Sequence, residues 1–562
     1  MEEEILINKP NQKLILLGNE AIVRGAIEAG VQFVSTYPGT PASEVGDTFA
    51  RIFKLKSQDP KEANFYFEYS VNEKVALEAA IGASFSGLKT LIAMKDFGLN
   101  VCLDSLGPFA YTGVRGPTVI IVADDPSCYS SAQWEEGTRA IAYLTHLPFL
   151  EPADPQECLE FTKLAFEISE KFKIPVIIRT TTRVAHQRAI VKIGNIKEEN
   201  KDFKAEFVKN PKQFVTLPPR VLEMKKELLE KIEKIRVYSE KSKINIFKNI
   251  KTEQSLKTKV GIITSGVSYL YVMETLKKIN LDIPVLKLGF FYPLPEEKIK
   301  NFIKSLKKVL IVEELEPYLE NEIKKLAKGV NCSLEVIGKE FLPEVGELKP
   351  EIVISAVAKI VNKKVNIEKP SPLNSKSKIK IPARFPQLCP GCPYWLVFNG
   401  IKKAVDPQKV IFGGDIGCYM LAGFSPHLLQ DYLFNMGSSI GIAHGIKKST
   451  NQKLITFIGD STFFHAGIPA LINTIFNKSN PLIIIMNNET TAMTGHQPFP
   501  SSPAVPNSIK IEDIVLACGV KNLKIIDPIN QEEFINTIKD FLNKDEVSVI
   551  IVRRPCIWVK NR

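Results

Sequence analysis

The sequence predicts an α/β protein of several domains built on parallel sheets, and three observations carry that prediction. Its 562 residues exceed a single domain at roughly 100–200 residues each. Short apolar runs at 14–17, 90–94, 118–122, 176–178, 260–263, 309–312, 454–458, 482–486 and 549–552 alternate with stretches of helical period. Runs of this kind read as strands buried on both faces of a parallel sheet. Two stretches of different composition then divide the chain into three α/β units.

The first unit is expected over 1–193. A Lys-, Glu- and Asn-rich linker over 194–257 follows and carries one amphipathic helix. In it Val221, Met224, Leu228, Ile232 and Ile235 recur at spacings of 3, 4, 4 and 3, an apolar stripe that suits packing on its own chain. The middle unit is expected over 258–365. A Pro-, Ser- and Lys-bearing linker occupies 366–386, and the last unit runs over 387–562. No tandem repeat of domain-building length is present.

Composition excludes several classes. Apolar residues make up 44% and charged residues 24%, the balance of a globular protein. The net charge of +11 is spread thinly over short Lys-rich stretches, so no nucleic-acid partner is expected. No apolar run reaches the ~18 residues of a membrane span, and the acidic start has no apolar core of a signal peptide. Nine cysteines at uneven spacing do not form a secreted disulfide framework. A cytoplasmic location is expected.

The last unit carries a phosphate and metal motif. The strand at 454–458 runs into Gly459-Asp460-Ser461, a helical stretch covers 466–476, and the strand at 482–486 ends in Asn487-Asn488. Gly459 is expected to permit a tight turn at the strand end. Asp460 offers a hard anionic oxygen to Mg²⁺, the following helix start offers N–H groups to a diphosphate, and Asn488 offers an amide oxygen from the neighbouring strand. Ligands of open α/β sheets sit at these carboxyl ends.

Cysteines form a second cluster of interest. Cys389-Pro390-Gly391-Cys392 opens the last unit, while Cys418 and Cys556 follow strands expected to end near Gly413 and Val552. Zinc, a redox dithiol and an iron–sulfur cluster are all open to such a pair. Cys102, Cys128, Cys158, Cys332 and Cys518 read as buried small hydrophobes.

Taken together, Gly459-Asp460-Ser461 and Asn487-Asn488, with 25 residues between them, resemble the thiamine-diphosphate motif, although Ser461 departs from its third glycine. The segment Glu489-Thr490-Thr491-Ala492-Met493-Thr494-Gly495-His496-Gln497-Pro498 is similar to the following loop of 2-oxoacid:ferredoxin oxidoreductases, in particular the large thiamine-carrying subunit of the indolepyruvate branch. The resemblance implies that Asp460, Asn488 and the Thr490 carbonyl hold Mg²⁺. Ser461, Thr494 and Gly495 would then meet the cofactor's diphosphate end, with His465 and His496 near its thiazolium. It also implies that Cys389, Cys392, Cys418 and Cys556 ligate one 4Fe–4S cluster.

At the amino end, thiamine chemistry needs an acid beside the aminopyrimidine N1′. Glu73, in Ser70-Val71-Asn72-Glu73, is the candidate the resemblance implies, although Ser70 and Glu73 also read as a helix capping box. Tyr37-Pro38-Gly39-Thr40-Pro41 resembles the family's loop in which a threonine faces substrate, which implies Thr40. As a plain pattern it is also a turn. The runs at 93–100, 123–126 and 312–318 extend the likeness across nearly the whole chain.

The family fold implied is two thiamine-type doubly wound sheets, a pyrimidine module and a diphosphate module, with a middle transketolase C-terminal-like domain between them. The activity implied is oxidative decarboxylation of an aryl 2-oxoacid, of indolepyruvate or phenylpyruvate type, to the acyl-CoA. Coenzyme A is the co-substrate. The partners implied are a ferredoxin, or a separate ferredoxin-like carrier, together with a smaller β subunit in a hetero-oligomer. Two departures stand out: the family's large chain usually continues into a ferredoxin-like domain, and Tyr394-Trp395 stand where His-Arg is common. A non-oxidative thiamine-dependent decarboxylase and a non-catalytic scaffold are the alternatives.

Overall fold

A computed structural model describes residues 2–56, 65–130, 132–196, 205–248, 259–365, 386–503 and 505–559. The chain divides into two compact units, Met1–Ser375 and Lys376–Arg562. The linker expected over 366–386 lies outside the described residues except for its last position.

The second unit shows the reason for the apolar runs most directly. Its sheet has the strand order Val410–Gly413, Lys453–Gly459, Leu482–Asn487, Ser548–Arg553, Asn522–Ile526, and all pairings are parallel. Alternate residues enter two different cores. Leu482, Ile484 and Met486 pack with the helices Tyr394–Ala404 and Gln531–Phe541. Ile483 and Ile485 pack on the opposite face with Ile440, Leu471 and Val515 of three other helices. A strand covered on both faces must be apolar at every position, so period two vanishes from the sequence.

The first unit holds a seven-stranded sheet in the order Phe290–Tyr292, Phe149–Leu150, Val176–Thr181, Thr118–Asp124, Thr90–Lys95, Phe33–Thr36, Tyr66–Tyr69. Only its first edge strand is antiparallel. A five-stranded sheet runs Glu335–Ile337, Lys308–Val312, Val260–Ser265, Val285–Leu288, Ile246–Lys248, with the last strand antiparallel. The helix Arg220–Lys241 buries Met224, Leu228, Ile232 and Ile235, the last three in the core of its own unit, while Val221 of the same stripe is half-buried.

Two differences from the sequence reading have physical causes. The run at 14–17 lies in Lys13–Leu17, which forms an antiparallel two-stranded ribbon with Arg188–Lys192 and joins no parallel sheet. Its residues alternate, with Leu16 buried and Ile15 69% exposed, the signature of a strand covered on one face only. Phe290–Tyr292, from the stretch expected to form the middle domain, completes the edge of the first sheet.

Charged groups buried between these two sheets hold them together. Arg139 donates from Nε and Nη2 to both oxygens of Glu151 at 2.7 Å, and from Nη1 to Glu313 at 2.8 Å. Arg179 donates to Asp124 at 2.6 Å and to Glu151 at 3.3 Å. Glu313 also accepts the Leu319 and Glu320 amides, so it caps the helix Tyr318–Val330. Burial pushes the Glu151 carboxyl up, but Arg139 and Arg179 pull it down further, to about 2 from an ordinary 4.5. Among the described residues no helix is long and apolar enough to cross a membrane.

Arg139→Met removes one of the two arginines on Glu151 and the guanidinium on Glu313, and is expected to cost about 3–5 kcal/mol, the typical penalty for removing one partner of a buried pair, read by chemical denaturation. Because the folded Glu151 value lies below the ordinary one, its stabilisation is complete above about pH 4.5 and is lost as pH falls toward 2. In Arg139→Met that acid loss should shrink. An acid limb of wild-type size in the variant would disprove the assignment.

Candidate active site

Gly459 ends its strand with φ −76° and ψ 159°, a conformation open to any residue, so a tight turn is not what requires glycine here. Close approach is. A β-carbon on Gly459 would stand 2.9 Å from the Tyr419 ring. The Tyr419 hydroxyl accepts the Gly459 amide at 2.8 Å and donates to the Ile416 carbonyl at 2.8 Å. Tyr419 thus pins the strand end to the loop after the neighbouring strand.

Asp460 begins the helical segment directly, earlier than the sequence suggests. The segment widens into a π turn over Phe463–Gly467 before the helix Ile468–Phe476. Pro469 explains the widening: it has no N–H, and its ring would meet the carbonyl four residues back in a regular helix. Ser461 and His465 are buried in this segment.

Three backbone amides converge on the Asp460 carboxylate. One oxygen accepts Ser461 N–H at 2.8 Å, the other Asn488 N–H at 3.0 Å and Glu489 N–H at 2.9 Å. The two strand ends expected to meet therefore do meet, through one buried side chain. Burial pushes Asp460 up to about 7 while the amides hold it down. The first oxygen keeps a lone pair, and so does the Asn488 amide oxygen, which accepts Thr490 N–H at 3.2 Å. A hard cation would find both donors in one knot.

The loop after Asn488 folds back on itself. Thr491 N–H donates to the Gln497 carbonyl at 3.0 Å, His496 N–H to the Thr491 carbonyl at 2.9 Å, and Thr494 Oγ1–H to the Gln497 side chain at 2.7 Å. Gly495 has φ +133°, where a β-carbon is strained. Thr491 Oγ1–H reaches the Ser461 hydroxyl at 3.2 Å, so Ser461 and the loop face one another.

The four cysteines come together at the same sheet edge. Cys389, Cys392, Cys418 and Cys556 line one cavity of about 160 Å³ with Tyr394, Asn488 and His496. Cys556 N–H donates to the Asn488 carbonyl at 3.0 Å, tying the cavity to the Asp460 knot. Burial, then their mutual charge repulsion, pushes Cys392 up to about 11 and Cys418 up to about 12. Among the described residues no group of three or more His, Cys, Asp or Glu is spaced to hold a single metal ion; the cysteines surround a space instead. Of the remaining cysteines, Cys102 and Cys158 are buried as expected, Cys128 and Cys518 are half-buried, and Cys332 is exposed. Cys332 sits in the turn between Tyr318–Val330 and Glu335–Ile337, where no core reaches it.

In the first unit, Thr40 and Glu73 both follow carboxyl ends of the seven-stranded sheet. Glu73 does not cap its helix: Asn72 does, accepting Val75 N–H at 2.8 Å, while Ser70 donates to Glu68 at 2.7 Å. Glu73 is buried as the first helical residue, and its Cγ occupies the place a β-carbon on Gly98 would need, at 2.6 Å. The Thr40 carbonyl accepts Ser130 Oγ–H at 2.9 Å. Ser130 also contacts Asp125 at 2.6 Å, and Lys95 Nζ donates to its carbonyl at 3.0 Å.

Sequence reasoning did not single out Lys95, Asp125, Ser130, Asp415 or Tyr419 for these positions. Asp415 is buried and accepts the Gly437 and Ser439 amides at 2.9 and 3.0 Å, capping Ser438–Ser449. A signal for it was available in the acid that follows the strand Val410–Gly413.

Comparison with known proteins gives a consistent picture. Residues 24–257 match the model for "Pyruvate flavodoxin/ferredoxin oxidoreductase, thiamine diP-bdg", 248–367 the "Indolepyruvate oxidoreductase domain", and 415–552 the "Thiamine pyrophosphate enzyme, C-terminal TPP binding domain". The chain is 42% identical to indolepyruvate oxidoreductase subunit IorA of Methanothermobacter thermautotrophicus, over 99% of this chain and 88% of that one. It is 43% identical to the protein of the same name in Methanothermobacter marburgensis, with the same coverage. For that of Pyrococcus horikoshii the figures are 42%, 98% and 87%.

Gly459→Ala keeps an allowed backbone but drives a methyl into Tyr419. A loss of about 1–3 kcal/mol is expected from such overpacking, measured by chemical denaturation. A loss of only a few tenths would mean that the Tyr419 ring yields.

Proposed function

The chain belongs to the IorA family of indolepyruvate oxidoreductase subunits, thiamine-diphosphate-dependent oxidoreductases of 2-oxoacids, and from that premise we propose its particular reaction. An aryl 2-oxoacid and coenzyme A give the acyl-CoA, CO₂ and one proton, while two electrons pass singly through one 4Fe–4S cluster to a ferredoxin. Proteins of this family are single components of a larger oxidoreductase, which implies further chains. A smaller β subunit that helps to bind coenzyme A completes the proposal, and the reaction is assigned to the cytoplasm.

The single observation that carries the redox part is the cavity. Four thiols from distant segments line about 160 Å³ beside Asn488, room for a polynuclear cluster, and soft thiolates are its usual ligands. When bound, the cluster accepts electrons one at a time. When bound, thiamine diphosphate would supply a nucleophilic carbon and an electron sink for the decarboxylation of a 2-oxoacid.

The chain's own residues have distinct tasks in this proposal. Asp460, Asn488 and the Thr490 carbonyl would hold Mg²⁺, and Ser461, Thr494 and Gly495 would receive the diphosphate. Glu73, buried as the first residue of its helix, supplies the carboxylic proton that an aminopyrimidine needs at N1′. Thr40 positions the substrate. Beside the Thr40 loop, Lys95 Nζ lies 4.9 Å from the Phe97 ring, which stacks on Trp134 at 6.3 Å and 8°. Trp134 is 58% exposed. A cation for a carboxylate next to an open aromatic face supports an aryl 2-oxoacid as substrate.

Anaerobic purification with iron and sulfide analysis is expected to give about four of each per chain. A chain without iron would favour a non-oxidative decarboxylase or a scaffold. Asp460→Ala should lose binding of thiamine diphosphate in a calorimetric titration. Glu73→Gln should retain that binding and lose turnover by at least about 100-fold, the low end for a proton-transfer group; wild-type turnover would remove Glu73 from the chemistry.

A further inference from the structure

We propose that His496 sets the redox potential of the cluster cavity by donating its Nε2 proton to the Cys556 sulfur; this rests on the cluster reading above. His496 Nε2 lies 3.8 Å from Cys556 Sγ, and both line the same cavity. The contact is built from both sides. His496 is held by its amide on the Thr491 carbonyl at 2.9 Å, inside the loop closed by Thr491 and Gln497. Its own φ is +67°, uncommon for a residue with a β-carbon. Cys556 is held by its amide on the Asn488 carbonyl at 3.0 Å.

A ligating cysteine is a thiolate and has no proton, so the pair has one possible polarity, N–H from the ring to the sulfur. Such a bond favours the more negative, reduced state of a cluster over the oxidised one and raises its potential. His496 is thus a positioning and tuning residue that touches the electron acceptor from the diphosphate loop. Loop closure around Thr490, Thr494 and Gly495 and the donor's aim at the sulfur depend on the same hydrogen bonds.

The test is an EPR-monitored redox titration of the anaerobically purified full chain, wild type against His496→Phe and His496→Gln, with iron content measured in each. His496→Phe removes the donor and is expected to shift the midpoint potential negative at unchanged iron content. His496→Gln keeps an N–H and is expected to stay near wild type. An unchanged potential in His496→Phe, or an equal fall in His496→Gln, would overturn the inference while leaving the cluster reading intact. A wild-type chain without iron and sulfide would overturn both.

Discussion

The second unit is organised around one buried carboxylate. Asp460 sits where a strand becomes a helix, and it accepts amides from its own segment and from the end of the neighbouring strand. A carboxylate removed from water is costly unless its lone pairs are satisfied by donors, and here backbone N–H groups satisfy them without bringing a cation. The remaining lone pair and the adjacent Asn488 oxygen stand side by side in the knot. The loop beyond Asn488 starts from this knot, and through the Asn488 carbonyl so does the placement of Cys556. Geometry at the sulfur cavity is therefore inherited from the Asp460 knot.

The first unit solves a different problem. Two sheets in one compact body have polar residues at their junction, and Arg139, Glu151, Arg179, Asp124 and Glu313 satisfy one another there. Such a network adds little over an apolar contact, but it is costly to break and strict about geometry. It fixes strands whose carboxyl ends carry Asp124 and Asp125, and Asp125 in turn meets Ser130 beneath the Thr40 carbonyl. Glu73 is placed by steric economy instead: glycine at position 98 leaves the space that its Cγ fills.

The sulfur cavity draws on three separate segments. Cys389 and Cys392 precede the helix Tyr394–Ala404, Cys418 follows Val410–Gly413, and Cys556 follows Ser548–Arg553. In a parallel sheet every strand delivers its following residue to the same edge, so cysteines far apart in sequence arrive together. Tyr394 lines that cavity and packs edge-on against Tyr419, with their hydroxyls on the Met486 and Ile416 carbonyls.

By itself the sequence determined the local character of this protein. Apolar runs such as 482–486 read as strands covered on both faces, and Gly459-Asp460-Ser461 with Asn487-Asn488 marked two strand ends before any neighbour was known. Tertiary structure alone decided the rest. It sent Lys13–Leu17 to a ribbon, gave Phe290–Tyr292 to the first sheet, made Asn72 rather than Ser70 the cap, and set His496 against Cys556. The physical reason is that period and propensity act within a few residues. Strand order, cap choice and the meeting of a loop with a sulfur sixty positions away are settled by competition among long-range contacts that no local pattern records.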